Sequence, residues 1–82
     1  MTLKTDVHAI DHVMDELGDP AESQCELLRE HLESARQYLQ GSMEREYKLG
    51  LQLANQAINC ISDHERRKRV QKMIDDMLAA ES

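Results

Sequence analysis

The chain has no phenylalanine and no tryptophan, and only two tyrosines, Tyr38 and Tyr47. Its core must therefore be filled by Leu, Ile, Val, Met and Ala. That is demanding at 82 residues, a length at which so much surface stays wet that a single core is marginal. One proline and three glycines leave no linker and no low-complexity segment. The two cysteines, Cys25 and Cys60, are far apart in the sequence, so there is no secreted disulfide framework and no CxxC metal spacing. This predicts a reducing, cytoplasmic setting. No stretch approaches the ~18 consecutive apolar residues of a membrane-spanning helix, and Met1-Thr2-Leu3-Lys4 lacks the apolar run of a signal peptide. A soluble protein with no membrane role is expected.

Charge is unevenly placed within the net −6. Residues 1–33 carry nine acidic and two basic side chains, residues 34–61 two acidic and three basic, and residues 62–82 five of each. The acidic first third disfavours a phosphate backbone as its partner.

The strongest signal is a ladder of apolar and small residues from Ala21 to Ile61. One arm is Ala21, Cys25, Leu28, Leu32, Ala35 and Leu39; the other is Met43, Tyr47, Gly50, Ala54, Ala57 and Ile61. Both arms step by alternating threes and fours, the spacing of one helix face with a coiled-coil seam. Folding the chain back at Gly41-Ser42 pairs Leu32 with Gly50 and Cys25 with Ala57, each pair of numbers summing to 82. The reading is an antiparallel αα-hairpin in which large residues face small ones. Asp19-Pro20-x-Glu22 supplies an N-terminal cap, Gly41 a left-handed stop and Ser42 a cap for the returning helix.

Around this hairpin the sequence predicts an all-α bundle forming one domain over 1–82. A first helix over about 6–17 has the stripe Val7, Ile10, Met14 and Leu17 and is too short to be stable undocked. The hairpin helices span about 20–40 and 43–61. A fourth, over about 63–80, begins at the capping box Ser62-x-x-Glu65 and turns Val70, Met73, Ile74, Met77 and Leu78 to one side. No Gly or Pro enforces the break before it, so one continuous helix from 43 to 80 is the alternative. At ~100° per residue, the row Leu27, His31, Ser34, Tyr38 and the row Leu49, Leu53, Cys60 are rotated in the same sense from their seams. In antiparallel helices these rows share one side of the pair. Leu51 and Ile58 lie on the other.

Several patterns resemble sites. His8-x-x-x-His12, with Asp11 and Asp15 nearby, has a spacing that can share a metal, but the pair lies opposite the docking stripe, and a polar outer face accounts for it. No metal or other cofactor is assigned. Arg66-Arg67-Lys68-Arg69 with Lys72 could meet nucleic acid. It lacks aromatic stacking partners, and the chain's own acidic residues (Asp15, Glu16, Glu22, Glu26, Glu30) are nearer candidates to pair with it. Cys25 and Cys60 read as small buried hydrophobes; the folding arithmetic sets them at similar heights, so a disulfide is conceivable but is not predicted. His31 lacks the following Lys and Gly of phosphotransfer bundles, with Ser34 and Ala35 in their places. No Glu-x-x-His motif, phosphate loop or triad is present. The spacing of small and aromatic residues does not fit tetratricopeptide units.

The expectation is a non-catalytic helical module for protein–protein interaction or regulation. It should form a homodimer through Leu49, Leu53, Val70, Ile74 and Met77, on the third and fourth helices. A nucleic-acid-binding regulator using the basic run, and a metal-binding or phosphotransfer bundle, are the alternatives.

Overall fold

The computed structural model describes residues 5–17 and 25–81. Among these are four α-helices and no strand: α1 (Val7–Leu17), α2 (Glu26–Gln40), α3 (Glu44–Gln56) and α4 (His64–Ala80), with a 3₁₀ turn, Ile58–Cys60, between the last two. The chain is an all-α bundle, and α2 and α3 share its most extensive interface. The predicted cap at Asp19-Pro20-x-Glu22, the seam position Ala21 and the first residues assigned to the second helix lie outside the described residues.

The seam residues of the hairpin are buried as the ladder requires. Leu28, Leu32, Ala35, Tyr47 and Ala54 have no exposed surface, and Cys25, Leu39 and Ile61 are nearly covered. Met43 departs from the pattern, being 45 % exposed. The register also differs from the one expected. Gly50 lies against Ala35 rather than Leu32, so close that a Cβ on Gly50 would stand 3.2 Å from the Ala35 Cβ. Cys25 lies opposite Cys60 rather than Ala57, with Cα atoms 5.2 Å apart, and the two form a disulfide. Facing residues therefore sum to 85, not 82.

The turn explains the shift of three. Met43 donates its N–H to the Tyr38 carbonyl at 2.9 Å, and Ser42 donates to Leu39 at 3.1 Å, the paired bonds of a Schellman ending. In that motif the left-handed position falls on Ser42, at φ 58°, while Gly41, at φ −86°, does not use its freedom. Ser42 is consequently no helix cap, and α3 starts after Met43 without a side-chain cap. The turn takes three residues where the ladder allowed two.

α1 buries Ile10, Val13 and Leu17, each contributing roughly 1.5 to 3 kcal/mol through removal of apolar surface from water. Val13, which the expected stripe omitted, is fully covered, whereas Val7 and Met14 are half-buried. The stripe is centred one position around the helix from its expected place because α1 docks against both α2 and α4. Two ion pairs flank it: Asp11 accepts from Arg36 Nε of α2 at 2.9 Å, and Glu16 accepts from Arg69 Nε of α4 at 2.6 Å.

Helices α3 and α4 are separate. The chain leaves α3 at Gln56, makes its 3₁₀ turn and becomes extended at Ile61. The cap of α4 is Asp63 rather than Ser62: its carboxylate accepts from the backbone N–H of Glu65 at 2.9 Å and of Arg66 at 3.2 Å. An ionised carboxylate is the better acceptor at a helix N-terminus, and the Arg66 N–H, more than any other neighbour, holds the Asp63 carboxyl below its ordinary pKa.

Where α1 begins and α4 ends, the Thr5 N–H and hydroxyl both donate to Glu81 Oε1, at 2.9 and 3.1 Å. The Tyr47 ring reaches toward this pair from α3. Its buried hydroxyl has no well-formed hydrogen bond among the described residues, and burial pushes its pKa up.

Two substitutions test the hairpin. Gly50→Leu should cost on the order of 1 to 3 kcal/mol by overpacking the Ala35 contact. Gly50→Ala should be close to neutral, because a shift of a few tenths of an ångström offsets a helix-propensity gain of about 1 kcal/mol. Equal, negligible effects in urea titrations would place the close approach elsewhere. At the turn, Ser42→Gly should raise stability by about 0.5 to 1 kcal/mol by relieving the left-handed serine, and a loss would contradict the assigned ending.

Candidate interaction face

α1 and α4 cover only one side of the hairpin. On that side Leu51 and Ile58 are buried, with α4 packed on α3 and on the 3₁₀ turn. No described helix covers the other side. It exposes Leu27 (57 %), Leu49 (54 %) and Leu53 (37 %), with Met43 at the turn end.

Between these side chains runs a shallow groove. Its wall on α2 is His31, Ser34 and Tyr38, and on α3 Glu46, Leu49 and Leu53, with Gly50 in its floor. The depression continues toward the open end of the hairpin past Leu27, Gln56 and Ala57. Helical periodicity causes this arrangement: Leu27, His31, Ser34 and Tyr38 follow one another at threes and fours, a quarter turn from the α2 seam. The floor is low because the Gly50–Ala35 contact lets the backbones approach and puts no side chain between the ridges. Glu46 and His31 are the ionisable groups of this face, on different helices and half-buried.

Of the five residues expected at an interface, Leu49 and Leu53 are on this open face. Val70, Ile74 and Met77 are not: the first two have no exposed surface and Met77 has 5 %. They form the α4 side of the core, so no apolar face is left across α3 and α4, and the exposed leucines lie across α2 and α3. The reason is the break at 57–63, which swings α4 under the Leu51–Ile58 flank instead of continuing the Leu49–Leu53 row. Leu27 and Tyr38, on the same face, were legible from the sequence as a flank but were not carried into the expected interface.

The basic run is divided among different surroundings. Arg69 is bound to Glu16, whose hydrogen bond raises the pKa of the guanidinium. Arg67 reaches His64 Nδ1 at 3.0 Å, Arg66 is half-buried, and Lys68 is exposed. Asp63 and Glu65 lie in the same turns. The expected pairing with the acidic first third is seen at Glu16, and Glu22 lies outside the described residues.

His8 and His12 are exposed on the outer side of α1. Asp11, between them, is turned to Arg36, whose hydrogen bond holds the carboxyl below its ordinary pKa. Among the described residues no three His, Cys, Asp or Glu side chains converge as metal ligands would. None of the described helices is long and apolar enough to cross a membrane. Comparison with known protein families, characterised proteins and solved structures finds no match.

The Arg69–Glu16 pair gives a direct test of how the basic run is used. Arg69→Glu should lower the melting temperature slightly at low salt and much less near 1 M, where the Debye length falls to about 3 Å. Adding Glu16→Arg should restore the pair and the low-salt melting temperature. Persistence of the loss in the double variant would show that the pair does not hold α4 to α1.

Proposed function

We propose that this chain is a non-catalytic protein–protein interaction or regulatory module, homodimeric through the open α2–α3 face. The observation that carries this reading is the contiguous exposure of Leu27, Leu49 and Leu53 along a groove on a side that no other described helix covers. Contiguous exposed apolar surface of this kind marks interaction sites, and small cores gain stability by association. The size is suitable. The molecule measures 37 × 19 × 19 Å, so one long side projects roughly 700 Å², near the ~800 Å² per partner of a standard interface.

A second copy is favoured as occupant because Glu46 is the sole carboxylate in the groove wall, beside neutral polar groups and leucines. Such a surface can bury itself against its own kind with little charge to desolvate. A cytoplasmic setting remains the proposed location. Glutathione there would keep the Cys25–Cys60 pair mostly open, and oxidation would close it.

Light scattering at micromolar concentration tests the reading. The wild type should run at twice the 9.5 kDa chain mass, and Leu53→Glu should weaken the dimer by about tenfold or more with helicity unchanged. Val70→Glu should instead unfold the protein, because Val70 is in the core. A wild-type mass of one chain that persists on concentration would overturn the dimer.

A further inference from the structure

We infer that the two copies lie antiparallel, related by a two-fold axis that runs in the α2–α3 face, across the helices, at the height of Ser34. This deepens the dimer proposed above and rests on it. The inference comes from where the groove residues sit along the hairpin.

The Gly50–Ala35 and Cys25–Cys60 contacts set which residues of the two helices share a height. By that register position 51 of α3 is level with position 34 of α2. On α2, His31 and Tyr38 stand on either side of Ser34, each roughly 5 Å away at 1.5 Å per residue. On α3, Leu49 and Leu53 stand about 3 Å on either side of position 51, and Glu46 and Gln56 about 7.5 Å. The two rows are thus centred at one height, although they come from different helices with unrelated sequences. Leu27 and Met43 complete the pattern at the two ends.

A half-turn about an axis through that centre exchanges the two ends of the face while keeping α2 over α2 and α3 over α3. Leu49 then meets Leu53 of the second copy, His31 meets its Tyr38, the Glu46 carboxylate meets its Gln56 amide, and Leu27 comes over its turn. Apolar groups face apolar groups, polar groups face groups that can hydrogen-bond them, and the two Glu46 carboxylates lie at opposite ends. The small residues Ser34 and Gly50 lie at the middle, where helices must approach most closely. An axis parallel to the helices does worse. Equal heights would then face each other, setting Leu53 against His31 and both Glu46 carboxylates at one level.

Cross-linking decides the matter. Glu46→Cys/Gln56→Cys, with Cys25–Cys60 left oxidised, is treated with a bis-maleimide reaching about 8 to 10 Å, the spacing of packed helix axes. Within one chain the two new thiols are separated by about 15 Å of helix rise, beyond that reach. The double variant should shift to a covalent dimer on a denaturing gel, as should a mixture of the two single variants, while either single variant alone should not. Glu46→Cys linking to itself, or no link in a double variant that light scattering shows to be dimeric, would overturn the antiparallel arrangement and leave the dimer standing. A chain that stays monomeric in light scattering overturns both.

Discussion

Gly50 contributes no side chain and Ala35 only a methyl group, and where they meet, a Cβ on Gly50 would stand 3.3 Å from the Ala35 Cα, so the backbones of α2 and α3 approach closely. That contact sets the register of the hairpin, and the register decides what each other residue does. It brings Cys25 level with Cys60, and it sinks the groove floor between the Leu49–Leu53 ridge and the His31–Tyr38 ridge. A larger residue at either position would lift one helix away from the other and change all of these together. Interiors packed to the density of organic crystals respond in this way to single methylene groups.

The remaining helices make the hairpin one-sided. α1 is held between α2 and α4 by its buried stripe, with Asp11 reaching one neighbour and Glu16 the other. These pairs are partly exposed and worth little singly, so burial of Ile10, Val13 and Leu17 supplies the attraction and the charges set the orientation. α4 brings Val70, Ile74 and Met77 over the Leu51–Ile58 flank. Having α1 and α4 on one side and no described helix on the other is what leaves leucines in contact with solvent.

Much of this was legible in the sequence, because helix periodicity is a local property. The hairpin seam and the flank carrying Leu27, Tyr38, Leu49 and Leu53 follow from spacing, whereas the break before α4 is marked only by capping residues and leaves one continuous helix as the alternative. The register does not follow from spacing. Gly-Ser suits a two-residue turn as well as a Schellman ending with its left-handed position on Ser42, and the choice between them moves every cross-helix pair by three residues. The disulfide is only conceivable in the shorter turn, which sets Cys25 against Ala57 with Cys60 one helical turn away; the longer turn brings the two cysteines level. The direction of α4 was also illegible. Val70, Ile74 and Met77 form an apolar stripe whether it faces the core or a partner, and only the extended link through Ile61 to Asp63 determines which. At that link Ser62 and Asp63 both have capping side chains, one residue apart, and the stronger acceptor prevails.

The Cys25–Cys60 bond has a topological consequence. Together with the peptide chain it closes a ring that contains the whole of α2 and α3 and the exposed turn at Gly41 and Ser42 between them. If a protease cuts that turn, the two fragments stay one covalent molecule, each helix still lying along the other. At the far side of the fold, Thr5 and Glu81 are joined by hydrogen bonds, so the two ends of the described chain are also neighbours.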